Sequence, residues 1–301
     1  MGVVTFGSVR SSAVTTVALA LAATWPNRAD SGGRPVLLIE ADPAGGTLAG
    51  SSGWSAEPSL VSLAAAARRG GAPELVWEHC QELPGGTAVL AGPASADQAR
   101  HALGMLEGWL ARLGALDADV LVDCGRLDPA SPVLGVFEQG ERAVLVSRPC
   151  LADLQAVATR LEGGPSVGDR LGLVVVGEGR YPDGEITEAL GVEVLARLPW
   201  DPDSARALVS SPASARELRL APLVRAARTL AGWLAAGLDA APPVHAGPIP
   251  AGPVPAGPVP AGPVPATGPG TASVRSRVWR AFRPETKPAG SNGSAPEEVS
   301  R

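Results

Sequence analysis

The stretch Val3-Val4-Thr5-Phe6-Gly7-Ser8-Val9-Arg10-Ser11-Ser12-Ala13-Val14-Thr15-Thr16 decides the reading of this chain. Its apolar start at 3–6 reads as a strand, the small and polar residues at 7–12 as a turn, and 12–24 as a helix. Ser11 or Ser12 is placed to cap that helix, because a hydroxyl there accepts from the open amides of the first turn. The pattern then recurs. Short apolar runs stand at 36–40, 88–91, 120–123, 143–147, 173–176 and 192–195. Several are continuous Val/Leu runs rather than alternations, as expected of strands covered on both faces. Helical spacing fills the intervals at 60–69, 94–113, 151–161 and 183–190, and a last helix at 221–238 closes the set. Strand and helix in alternation give the expected fold class: α/β, a doubly wound, mostly parallel sheet flanked by helices. Such sheets bind ligands at the carboxyl ends of their strands, so the loops after the strands are where chemistry is expected.

With 301 residues, 45% of them hydrophobic, the chain supplies one sizeable core, and the periodic segments place it at 1–239. Residues 240–272 form a linker. It holds Ala246-Gly247-Pro248-Ile249-Pro250 followed by three AGPVP copies that end at Pro265. Proline at two positions in five fixes φ and removes donors, so an extended polyproline spacer is expected. Residues 273–301 read as a basic, polar, disordered tail. Within it, 274–283 interleaves four arginines with apolar residues; on a helix Val274, Val278 and Phe282 share a stripe with Trp279 beside it. Such a stripe suits docking on a membrane surface or a partner.

The formal net charge of −5 advertises no broad positive field, so sequence-specific nucleic-acid binding is not expected. Cys80, Cys124 and Cys150 are odd in number and form no CxxC pair. That usage fits reduced thiols in a cytoplasm better than a disulfide frame or a zinc site. Arg10 and the apolar run at 13–23 imitate a secretory leader, but an apolar segment precedes the charge where a leader carries its charge first. No run approaches the ~20 apolar residues of a spanning helix. A cytoplasmic protein is expected, peripheral to a membrane if 274–283 docks there. Among basic residues one fact matters below: the only lysine is Lys287.

Four segments carry a resemblance, in the order of a known family. They are Val9 to Thr16, Leu37-Leu38-Ile39-Glu40-Ala41-Asp42-Pro43-Ala44-Gly45-Gly46, Val120-Leu121-Val122-Asp123-Cys124-Gly125 and Val194-Leu195-Ala196-Arg197-Leu198-Pro199-Trp200-Asp201. Together they resemble the MinD/ParA family of P-loop ATPases over about residues 1–238. The likeness is to the actinobacterial-type variants with a degenerate loop. That family's loop reads K-G-G-x-G-K-T-T: backbone amides and lysine hold phosphates, and a threonine holds Mg²⁺. Here the early lysine position is Val9, the main lysine is Val14, and the glycines are Arg10, Ser11 and Ala13.

The resemblance implies nucleotide contacts from Arg10, Ser11, Ser12, Ala13, Val14, Thr15, Thr16, Pro199 and Asp201. It implies Asp42 as the water-orienting acid, and Thr15, Asp123 and Glu40 around Mg²⁺, with Glu40 standing where the family has aspartate. The adenine-reading asparagine corresponds to Gly177. ATP and Mg²⁺ are the implied cofactors, and protein partners or a homodimer the implied assemblies. Because phosphoryl transfer rests on positioning and charge stabilisation, a loop without lysine implies a pseudo-ATPase scaffold. Its expected role is positioning or partitioning of a chromosome, a septum, or a pilus or secretion machine. The alternative is a weak Mg²⁺-dependent ATPase acting as a nucleotide-switched dimer. An unrelated dinucleotide enzyme gains nothing, since no G-x-G-x-x-G follows the first strand and His79, His101 and His245 form no triad.

Overall fold

The computed structural model describes residues 2–10, 13–26, 34–84, 86–162, 167–209, 215–240 and 274–282. Its eight strands are β1 (Gly2–Ser8), β2 (Val36–Glu40), β3 (Gln81–Glu82), β4 (Ala88–Leu90), β5 (Asp119–Arg126), β6 (Arg142–Ser147), β7 (Leu171–Val176) and β8 (Glu193–Leu198). They form one sheet in the order β3-β4-β2-β5-β1-β6-β7-β8. Only the β3–β4 pairing is antiparallel. All seven runs read as strands are strands; the two-residue β3 is additional.

Successive strand residues face opposite layers. Leu37, Ile39, Val120, Val122, Leu145, Leu173 and Val175 point into one core, whereas Leu38, Leu121, Val144, Val146, Val174 and Val176 point into the other. A strand that must be apolar on both faces loses its alternation. The first layer is covered by α3 (Leu60–Ala67), α4 (Ala96–Leu110), α5 (Leu134–Gln139), α6 (Leu151–Glu162) and α7 (Asp183–Leu190). The second is covered by α1 (Val14–Thr24), α8 (Pro202–Val209) and α10 (Pro222–Ala240), with α2 (Leu48–Ser52) and α9 (Ala215–Leu220) between the others. Helix α1 packs between sheet and α10, which buries Ala18, Leu19, Ala20, Leu21 and Ala22 together. Burial on all sides explains why 13–23 resembles a leader.

One short segment of the tail departs from expectation. Residues Val274–Ala281 form a helix, α11, lying against α6 and α7. Val278 and Phe282 are buried in the first core. The Tyr181 and Phe282 rings stand 4.0 Å apart at 50°, the Tyr181 hydroxyl donates to Phe282 O at 3.3 Å, and Arg277 Nε donates to Ala189 O at 3.4 Å. The stripe read as a membrane- or partner-docking face, in a tail read as disordered, is thus used inside the molecule. The physical reason is that burying a side chain such as Val278 or Phe282 contributes about 1.5–3 kcal/mol, and a groove on the same chain offers that burial. Residues 241–273 and 283–301, with the repeat, lie outside the described residues.

Replacing Phe282 with Asp is expected to release α11 while the sheet stays folded. Hydrogen exchange should show lost amide protection confined to 278–282 and the facing surface of α6 and α7. Protection lost throughout the sheet would mean α11 is integral to the domain.

Candidate functional site

The site is built at the carboxyl ends of β1, β2, β5, β6 and β8. After β1, the chain enters α1 through Ala13, whose φ of 51° and ψ of 28° are left-handed. Ala13 O accepts from Val17 N at 3.0 Å and closes the first helical turn. It has no side-chain cap; Ser11 and Ser12, the expected caps, lie outside the described residues. Alanine in this conformation costs about 1–2 kcal/mol relative to right-handed backbone, a cost glycine escapes. The turn therefore holds an alanine in a conformation that favours glycine. Ala13→Gly is expected to raise stability by roughly 1 kcal/mol in chemical denaturation; a neutral or negative effect would contradict the strain.

Val14, which the resemblance aligns with the main lysine, is buried and packs in the second core, and Val9 is half-buried against the first. Neither offers charge to a ligand. Arg10 is exposed, its Nε 3.9 Å from Asp153 Oδ1. Thr15 lies beside Asp123, and Thr16 lines a neighbouring cavity.

Three carboxylates meet next to the loop. Glu40 and Asp123 are register neighbours across β2 and β5, and Asp42 follows two residues later. Glu40 is held by backbone: Oε1 accepts from Thr47 N at 2.6 Å and Leu48 N at 3.1 Å, and Oε2 from Gly92 N at 3.0 Å. Gly46 makes room for it, since a Cβ there would sit 2.4 Å from Glu40 Oε2. Burial raises the Glu40 pKa against these three amides, which lower it. The side chain read as a metal ligand thus has both oxygens engaged in fixing the loop after β2. Glutamate suits this job because its extra methylene reaches two loops at once.

Asp42 folds into an Asx turn, its Oδ1 accepting from Ala44 N at 2.7 Å. Its carboxyl lies over Gly125, whose φ is +58° and where a Cβ would stand 2.0 Å from Asp42 Cγ. Burial raises the Asp42 pKa, with the Ala44 amide and Arg126 opposing. Asp123 Oδ1 accepts from Gly125 N at 2.9 Å, while its buried Oδ2 has no hydrogen-bond partner among the described residues. Burial pushes the Asp123 carboxyl up to about 7; the Thr15 hydroxyl and Gly125 amide act the other way, and the Glu40 and Asp42 charges add to the rise.

An orphaned buried oxygen beside a threonine hydroxyl fits one corner of a hard cation's shell. Among the described residues no three His, Cys, Asp or Glu side chains gather to hold a metal by themselves. Asp123 Oδ2 and the Thr15 hydroxyl would hold only part of a Mg²⁺ shell, the rest of which water and phosphate oxygens would have to supply.

On the β8 side a cavity of about 200 Å³ is lined by Thr16, Val17, Val176, Leu198, Pro199 and Trp200, among others. Most of its wall is apolar, as suits the faces of a planar ring. Trp200 is 65% exposed at its rim. Gly177, at φ +89°, places no side chain there, and Trp200 Cβ lies 3.8 Å from where its Cβ would be. Asp201 also borders the cavity, but its Oδ1 accepts from Ser204 N at 3.0 Å and caps α8. The sequence reading missed Trp200; a tryptophan between proline and aspartate after a strand is the signal it overlooked.

It also missed Arg148, which follows β6. Arg148 Nε donates to Asp153 Oδ2 at 2.8 Å, on the carboxylate that faces Arg10. That proximity raises the Arg148 pKa. The structure thus brings Arg10, Ala13, Thr15, Thr16, Asp42, Asp123, Pro199 and Asp201 to one end of the sheet, with Val14 turned into the core.

Neither a protein-family model nor a curated protein matches this sequence. Solved structures do. A ParA family ATPase from Chlorobium tepidum has a TM-score of 0.60 at 18% identity, covering 77% of this chain and 98% of its own. The septum site-determining protein MinD from Pyrococcus horikoshii, solved with Mg-ADP, gives 0.57 at 19% identity, over 79% and 98%. The MinC:MinD cell division complex of Aquifex aeolicus gives 0.53 at 16%, over 78% and 96%. At these identities the likeness is one of architecture. The order and direction of the strands, with helices on both faces, give this chain the fold of the ParA/MinD ATPases.

Proposed function

We propose that this protein is a MinD/ParA-like pseudo-ATPase: a scaffold that keeps the family's architecture and a ligand pocket, and positions or partitions cellular structures through protein partners. The observation that carries the reading is the burial of Val14 in the core, the residue that the resemblance aligns with the phosphate-binding lysine. No other lysine stands within residues 1–286 to replace it. Hydrolysis needs charge aimed at the transferring phosphoryl group, and losing one such donor commonly costs about 10²–10³ in rate. The neighbour from Aquifex aeolicus was solved as an assembly with MinC, which supports a protein-binding role for this architecture, and a homodimer belongs to the same reading. Chromosome, septum, and pilus or secretion machinery are the candidate cargoes.

A second reading has one observation in its favour. Asp123 Oδ2 and Thr15 form a corner suited to Mg²⁺, and Asp42 stands beside it. A weak Mg²⁺-dependent ATPase, switching a dimer with nucleotide, would use Asp42 to orient water. The two readings separate in cells: a fluorescently tagged Asp42→Ala variant is expected to keep the wild-type localisation pattern. Loss of that pattern, with the protein still folded, would favour the ATPase. No described helix is long and apolar enough to cross a membrane, and Val278 and Phe282 of the tail stripe are buried beside α6 and α7.

A further inference from the structure

We infer that Arg10 and Arg148, set by Asp153, form a two-guanidinium clamp for the phosphate groups of a nucleoside di- or triphosphate. The clamp supplies from a different strand the charge that Val14 no longer provides. This rests on the proposed ligand pocket and adds to it the residues that face the anion.

Strand β1 leads through α1 on one face of the sheet to β2, whereas the neighbouring β6 leads through α6 on the opposite face to β7. The carboxyl ends of β1 and β6 therefore flank a point where the connections diverge, which is where open α/β sheets leave a crevice for ligands. Arg10 follows β1 and Arg148 follows β6, and both reach the same carboxylate. Arg148 Nε is 2.8 Å from Asp153 Oδ2, and its Nη2 is 3.5 Å from Oδ1; Arg10 Nε is 3.9 Å from Oδ1.

Charge and exposure then give the direction. The Asp153 side chain is 4% exposed, whereas those of Arg10 and Arg148 are 59% and 55% exposed. A buried carboxylate balances one of the two cations, so the pair presents an excess positive charge to solvent beside the loop. A guanidinium that gives one edge to a carboxylate keeps N–H donors on its others, in a planar fork matched to phosphate oxygens. Asp153 lies in the first turn of α6, whose N-terminal amides add to the positive potential. Across the loop, Ala13 and Thr16 belong to the wall of the apolar cavity. A base in that cavity and phosphates at the clamp would lie on either side of the turn that resembles a phosphate loop. Asp153 is a positioning residue and touches no ligand.

Titration calorimetry on the full chain with two probes, ATP and adenosine, tests this. Wild type should bind ATP at least about 10-fold more tightly than adenosine, with an ATP affinity that falls as salt rises. Arg148→Ala should weaken ATP by about 10- to 100-fold, as expected for charge-assisted hydrogen bonds, and leave adenosine unchanged, which also reports an intact fold. Arg148→Lys should rescue part of the loss, and Asp153→Asn should weaken ATP while flattening the benefit of Arg148. An Arg148→Ala variant with ATP affinity within two-fold of wild type overturns the clamp and leaves the base cavity standing. Equal wild-type affinity for ATP and adenosine does the same. Binding of neither probe overturns clamp and cavity together but not the scaffold role. Rapid turnover of clamped ATP would overturn the pseudo-ATPase reading and leave the clamp in place.

Discussion

Replacing Asp123 with asparagine should stabilise the protein at pH 8 by about 2–4 kcal/mol and leave it nearly unchanged at pH 4. Asp123 is wholly buried within β5, and burial lifts its carboxyl to about 7 from an ordinary value near 3.8. The folded state then binds this proton more tightly than the unfolded chain does. Stability is full below about pH 4 and falls as pH rises to about 7, where the folded group finally ionises. Each pH unit in that window is worth about 1.4 kcal/mol, and structural relaxation trims the total. Asparagine keeps the shape and removes the charge. The check is urea denaturation of both proteins across pH 4–8 without divalent cations. Parallel curves for the two would show that Asp123 is ionised at ordinary cost in the folded protein.

Gly125→Ala should cost about 3 kcal/mol or more. Alanine at φ +58° loses about 1–2 kcal/mol by itself, and its Cβ would stand 2.0 Å from Asp42 Cγ. Asp42 must then swing away, giving up its 2.7 Å bond from Ala44 N, a loss of about 1.5–3 kcal/mol for a charged acceptor. In a domain of this size that total lowers the melting midpoint by roughly 6–12 °C. A change under about 1 kcal/mol would mean Asp42 does not rest on Gly125. The effect also bears on function, since the same glycine holds the position of the acid that would orient water.

Why these features were legible to different degrees follows from what sets each. The sheet could be read because strands buried on both faces become continuous apolar runs, as at Leu171–Val176. The two-residue β3 and the short α2 and α5 carry too little sequence for a period to show. Helix α11 was misjudged for a different reason: Val274, Val278 and Phe282 mark a face to be covered, and a stripe does not say what covers it. At the site, Thr15, Asp42 and Asp123 were placed by motif order. Glu40 was read as a replaced metal ligand because the motif fixes its position, while its hydrogen bonds to Thr47, Leu48 and Gly92 depend on how two loops fold over it. The Arg10–Asp153–Arg148 group joins residues far apart in the chain, with no spacing of its own. Val14 was legible as an absence of charge; its packing into the core, which bars it from the ligand, needed the three-dimensional structure.

Steady-state phosphate release by the purified full chain with saturating Mg²⁺ and ATP, set against its Asp42→Ala variant, shows whether phosphoryl chemistry is lost. Wild type is expected to release no more phosphate than the variant. Release that Asp42→Ala abolishes would make the chain an ATPase and end the scaffold reading.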